Sequence, residues 1–208
     1  MNTKTNATFK PLALSTLKKG TGFSTPYFYS PNPVGISSSA LEVMTDLRFV
    51  PAATTQTDIT VSAASQKMIA RGVRLLLVVD RDNDVIGLIT ARDLDGSRME
   101  DASQSRGLSF EELKVGHVMT SDIEVLPLQA VLHARVGDIV ETLKDSGRQH
   151  ALVLDEEPFT NKPMIRGVFS ASQIARQLGI ISGQNDLAQT FSQIEQTITS
   201  RQASQPLP

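Results

Sequence analysis

The chain has 208 residues, 40% of them hydrophobic, and a formal net charge of -2, which is room for one sizeable core or two small ones. That charge provides no basic field for nucleic acid or anionic lipid, and no apolar run approaches the roughly 18–20 residues of a bilayer span, so neither nucleic acid nor membrane is expected as a partner. With no cysteine at all, disulfides, thiolate nucleophiles and cysteine-ligated metals are excluded, and a reducing cytoplasm suits the composition.

In chain order the first segment is an arm, residues 1–40, which holds five of the ten Phe and Tyr residues: Phe9, Phe23, Tyr27, Phe28 and Tyr29. Such aromatics are unusual in a disordered tail, and Pro26, Pro31 and Pro33 suggest an extended path along the module or a partner subunit. Residues 41–97 come next as a first domain. Val61, Ala64, Met68 and Ile69 form one helical face, Gly72 stops that helix, Leu75–Val79 is a buried strand, and Asp80 to Asp84 reads as a turn. Val85–Ile89 is the following strand, and a helix begins at Thr90. A connecting segment, 98–115, is polar and flexible at first and then helix-like over Phe110-Glu111-Glu112-Leu113. The second domain, 116–180, carries a helix with Val136, Ile139, Val140 and Leu143 on one face, a stop at Gly147, strands Ala151–Leu154 and Ile165–Phe169, and a helix from Ser170. Leu187, Phe191, Ile194 and Ile198 then make a helical stripe in the C-terminal helix and tail, 181–208.

The two domains are copies of each other. Slid by 75 positions, Val43-Met44-Thr45 falls on Val118-Met119-Thr120, Val50 on Val125, Val61 on Val136, Gly72 on Gly147 and Leu77–Asp80 on Leu152–Asp155. After five extra residues in the second copy, Val85–Thr90 corresponds to Ile165–Ser170. Each copy of about 55 residues is too small to bury much alone, so the pair is expected to pack into one compact module.

Val-Met-Thr opening each copy, Leu-Leu-Val-Val-Asp before the turn and Ile-Gly-Leu-Ile-Thr-Ala-Arg-Asp-Leu after it resemble a tandem pair of cystathionine-β-synthase-type (CBS) domains, a Bateman module, over about residues 41–180. The resemblance implies an α+β fold in which two β-α-β-β-α repeats pack through their sheets with pseudo-twofold symmetry. It also implies two interdomain clefts, in which many members bind AMP, ADP, ATP or S-adenosylmethionine, and a tendency to pair as a homodimer.

Thr90 stands where a strand ends and a helix begins, so its hydroxyl and the first-turn N–H groups can meet an anion, and Asp93 one turn on can accept from ribose hydroxyls. The plain alternative is that Thr90 only caps the helix and Asp93 is only a favourable first-turn acid. In the second copy Ser170 keeps the hydroxyl but Gln173 replaces the acid, so one competent site is expected at Thr90 and Asp93 and a weak, altered or empty one at Ser170. Arg74 and His150, each read as preceding its strand, are further candidates, as are Arg92 and Arg148. The resemblance alone adds His117, Ile123 and Val125 as a frame for the purine beside Asp93.

The leading expectation is a stand-alone regulatory module with an adenine nucleotide as its ligand, no required cofactor, and an unknown protein partner. The alternative is a non-binding structural or adaptor dimer with vestigial clefts. An enzyme is disfavoured, since there is no P-loop, no GxGxxG, no nucleophile elbow, and no metal-ligand spacing among His117, His133 and His150.

Overall fold

The computed structural model describes residues 34–180, together with Thr21 and Ser192. The aromatic arm before residue 34 and the Leu187–Ile198 stripe lie outside the described residues. No helix among those described is long and apolar enough to cross a membrane.

The first copy runs from a 3-10 helix, Ala40–Val43, through β1 (Thr45–Asp46), β2 (Thr54–Thr55), α1 (Val61–Arg71), β3 (Leu75–Val79) and β4 (Val85–Thr90) to α2 (Ala91–Asp95). A further helix, α3 (Ser97–Arg106), fills the connection where a flexible polar stretch was expected, and residues 110–112 form a turn rather than a helix. The second copy follows as α4 (Val115–Val118), β5 (Val125–Pro127), α5 (Leu128–Val131), α6 (Val136–Asp145), β6 (His150–Glu156), β7 (Pro163–Ser170) and α7 (Ala171–Gln177).

The long helices follow from their sequences. Thr60 caps α1 by accepting from the Ala63 N–H at 3.3 Å, and Gly72 ends it at φ 62°, a left-handed conformation that costs glycine nothing. Val61, Ala64 and Met68 are buried, but Ile69 is 78% exposed. The expected stripe is therefore narrower by one residue, because a row of positions 61, 64 and 68 already faces the sheet. In α6 all four expected residues, Val136, Ile139, Val140 and Leu143, are buried.

Two sheets result, ordered β2-β3-β4 and β1-β7-β6-β5. β3 is buried on both faces, with Leu76 and Val78 against the helices and Leu75 and Leu77 in the layer between the sheets, together with Leu152. This is the packing through sheets that the repeat implied.

The opening segments are exchanged. β1 belongs to the first copy but pairs with β7 of the second, Thr45 opposite Val168. Thr120 of the second copy bridges Leu88 of the first, with the Leu88 N–H donating to the Thr120 carbonyl at 2.9 Å and the reverse bond at 2.8 Å. The short helices follow. Ala40 and Val43 are buried in the second copy's core beside Val136, Ile139 and Phe169, whereas Val115 and Val118 are buried in the first copy's core beside Val61, Leu76 and Ile89.

The repeated methionines and glycines fit this exchange as knob and hole. A Cβ on Gly167 would lie 2.5 Å from the Met44 Sδ, and one on Gly87 would lie 2.9 Å from both the Met119 Sδ and the Thr120 carbonyl oxygen. On the β1 side an ion network is added. The Arg166 guanidinium donates to both Asp46 oxygens at 2.8 and 2.6 Å and reaches Asp155 at 3.3 Å. The bond from Arg166 holds the Asp46 carboxyl down at about 2.

The offset of 75 does not hold throughout. Thr54 pairs with Leu77, and Val125 pairs with Leu152, the repeat-mate of Leu77. The structural counterpart of Val125 is thus Thr54, not Val50. The first copy spends four more residues before its short strand, the second four more after it, in α5, so the register slips and then recovers by Val61 and Val136.

Gly87→Ala and Gly167→Ala are both expected to destabilise the fold by about 1–3 kcal/mol through overpacking. Gly87→Ala should cost more, because its obstacle includes a backbone carbonyl held by Leu88, while Met44 is a flexible side chain. Urea unfolding midpoints of the two variants check the order, and a larger loss in Gly167→Ala would contradict it.

Candidate functional site

Each copy brings a strand–helix junction against the exchanged opening segment of the other. The two junctions differ. At the second copy's junction, where β7 runs into α7, lies a cavity of about 420 Å³, in the range that holds small ligands. Its polar wall includes Thr45, Gln149, His150, Ser170, Ser172 and Gln173, and its apolar wall includes Leu47, Val50, Pro51, Val73, Leu77 and Val168. Among the described residues three guanidinium-bearing side chains line it, Arg71, Arg74 and Arg176, and no carboxylate does.

The slip in register makes this wall. The extra residues between β1 and β2 carry Leu47 and the run from Val50 to Ala53 along the cavity, and Arg71 donates to the Pro51 carbonyl at 3.4 Å. The Thr45 hydroxyl donates to the Gln173 Oε1 at 3.1 Å. That leaves the Gln173 amide N–H₂ as the group to offer a ligand, a donor where an aspartate would present an acceptor. The Ser170 and Ser172 hydroxyls lie 3.1 Å apart.

At the first copy's junction the chemistry is turned inward. The Asp93 Oδ2 accepts from the Thr90 N–H at 2.8 Å and from the Thr90 hydroxyl at 2.7 Å, and that hydroxyl accepts in turn from the Asp93 N–H at 3.4 Å. The other oxygen, Oδ1, is 3.1 Å from the Arg98 Nη1. Both the capping role and the acidic first turn weighed for this pair are therefore present, as a capping box.

The expected contact residues divide between these places. Arg74, His150 and Ser170 line the cavity, whereas Thr90 and Asp93 sit at the other junction. Arg92 is exposed on α2. His117, in α4, is half-buried and its Nδ1 accepts from the Lys114 N–H at 3.3 Å. Ile123 and Val125 pack into the layer between the sheets. Arg148 pairs with Glu124 at 2.7 Å.

His150 does not precede its strand but begins it, opposite Ser170, so it matches Leu75 rather than Arg74. Burial, and next the nearby positive charge of Arg74, push its imidazole down to about 4, against a smaller opposing pull from Asp93. The sequence reading missed Arg71, Arg176, Ser172, Thr45 and Arg98. A signal for Arg176 existed, since it falls one helical turn beyond Gln173.

Residues 40–98 match the model of the CBS domain family. An uncharacterized conserved protein from Pyrococcus horikoshii superposes with a TM-score of 0.50 at 19% identity, covering 74% of this chain and 100% of that one. A CBS-domain containing protein from Agrobacterium tumefaciens gives 0.50 at 19%, over 74% and 98%. A CBS domain pair in complex with 5′-methylthioadenosine and S-adenosyl-L-methionine gives 0.48 at 16%, over 70% and 98%. No curated protein matches the chain. The fold is that of a CBS-domain pair, and residues 40–98 carry the match to the CBS domain family.

The His150 shift fixes a pH dependence. An unfolded histidine takes up its proton near 6.5 and the folded one only near 4, so between those values the unfolded chain binds more protons and stability falls as pH drops. In an NMR titration His150 is expected to protonate with a midpoint near 4. Substituting His150→Leu, the residue at the matching position 75, should flatten the stability loss in that window; an ordinary midpoint near 6.5 would contradict the account.

Proposed function

We propose that this chain is a regulatory sensor module that binds an adenine nucleotide in the Ser170 cleft between its two CBS domains. The observation that carries the reading is the lining of the 420 Å³ cavity, which among the described residues holds three arginines and no carboxylate beside apolar, hydroxyl and amide side chains and His150. A phosphate-bearing ligand with a flat apolar base suits such a lining. Arg74, Arg176 and Ser170 meet the phosphates, the Gln173 amide donates to an acceptor on the ligand, and Leu47, Val50, Pro51 and Leu77 enclose the base. The same excess of positive charge disfavours the sulfonium of S-adenosylmethionine.

This reading moves the favoured cleft from Asp93 to Ser170 and keeps Arg74, His150 and Ser170 among the contact residues. The ligand regulates and is not consumed. Binding draws the exchanged opening segment, through Thr45, and the second copy's helix, through Ser170 and Gln173, onto one molecule, which is a means of shifting population between module shapes. The module is proposed to act as a cytoplasmic homodimer on a separate protein partner. A non-binding adaptor dimer is the second reading, favoured by the inward bonding of Asp93 and the loss of the acid at Gln173.

Thermal melts with AMP, ADP, ATP and S-adenosylmethionine separate the two. A nucleotide at a hundred times its dissociation constant adds about 2.7 kcal/mol, a rise of roughly 5–10 °C for a chain of this size. The rise is expected with the nucleotides and not with S-adenosylmethionine. Arg74→Ala and Arg176→Ala should each weaken binding about tenfold or more, as expected for a lost charge-assisted contact. No shift with any of the four at millimolar concentration would leave the adaptor reading standing.

A further inference from the structure

The repeat makes the two junctions comparable position by position, and they part after the helix's first turn. In the second copy α7 continues through Arg176 to Gln177, and Leu178, the repeat-mate of Arg98, is buried in the core. In the first copy the residue matching Arg176 is Gly96. There the backbone becomes extended, at φ -119° and ψ -175°, α2 ends after five residues, and α3 starts in a new direction. The break returns Arg98 over the junction it has just left.

Arg98 then bridges the junction's acid and the exchanged opening segment. Its Nη1 is 3.1 Å from the Asp93 Oδ1. The same nitrogen donates at 2.7 Å to the Thr120 hydroxyl and at 3.3 Å to the Val118 carbonyl. Thr120 is the repeat-mate of Thr45, which lines the open cavity. With the Asp93 Oδ2 already holding two donors from Thr90, the guanidinium is the partner of Oδ1 among the described residues.

We propose that Arg98 is a built-in occupant of the Asp93 cleft, a tethered cation that satisfies the acid and the opening threonine in place of a ligand and limits the module to one bound nucleotide. The inference rests on the nucleotide reading above for its choice of probe and for the count of one per chain, whereas the closing of the Asp93 junction by Arg98 stands apart from which cleft is open. The pair is half-exposed on the arginine side, at 48% for the Arg98 side chain and 14% for Asp93. Ion pairs of that exposure are weak, so the latch is effective because it is tethered and because it also bonds Thr120 and Val118.

The test is titration calorimetry of the full chain with AMP. The wild type is expected to take up one AMP per chain and Arg98→Met two, and Arg98→Met/Asp93→Asn should return to one. Arg98→Ala serves as a second variant, with far-UV circular dichroism to confirm the fold. Adding Arg74→Ala and Arg176→Ala separates the clefts: Arg98→Met in that background should keep one AMP, lost again with Asp93→Asn. Uptake of one AMP by Arg98→Met but none by the wild type would sustain the latch and sink the Ser170 cavity as the nucleotide site. A folded Arg98 variant that binds no more AMP than the wild type would overturn the latch, whatever the cavity does.

Discussion

The constraint on which this molecule depends is the exchange of opening segments, each seated by a methionine over the other copy's glycine. Neither repeat owns a complete core. Without Val115, Val118 and Leu113 the first copy would expose Val61, Leu76 and Ile89, and without Ala40 and Val43 the second would expose Val136, Ile139 and Phe169. At roughly 25 cal/mol per Å² of apolar surface, two small cores gain most by sharing what each lacks. The glycines let the backbones approach closely enough for Thr45 and Thr120 to join the opposite strands. The same two threonines are thereby delivered to the strand–helix junctions, so the packing that completes the cores also builds the clefts.

From a near-symmetric frame the two clefts diverge through few residues. Four extra residues after β1 give the Ser170 cleft its wall from Leu47 to Ala53, and Gln173 stands there where the first copy has the acid Asp93. On the other side Gly96 breaks the helix and brings an arginine onto Asp93. The proposed sensor is thus a pair of junctions of one origin, one opened toward an anion and one closed on itself. Arg166 with Asp46 and Asp155 braces only the open side, since its repeat-mate is Ile86, and holds β1 in place beside the cavity.

Most of the architecture was legible in the sequence because it depends on periodicity and duplication. The α6 stripe, the αL glycines, β3 and the Asp80–Asp84 turn are where local pattern puts them. Ile69 was misread because helical spacing alone does not tell how wide the buried stripe is. Arg74, His150 and Ser170 were each legible as candidates, and the structure brings them to one cavity; that this is the cleft proposed for the nucleotide was not legible, for two physical reasons. Counting an acid at Asp93 as available ignores a cation five residues further along the chain; Arg98 lay in a stretch, Ser97–Arg106, whose polar composition and weak amphipathicity hid its helix. And a ligand cavity is made by what a loop leaves unfilled, which the slip between Val50 and Val125 conceals in an ungapped comparison of the repeats.

The most direct test of the account is a crystal structure of the wild-type chain grown with AMP. The account predicts the nucleotide beside Ser170, its phosphate between Arg74 and Arg176, with Arg98 still on Asp93 and Thr120. A nucleotide seated on Asp93 with Arg98 swung away, or no nucleotide in either cleft at saturating AMP, would contradict it.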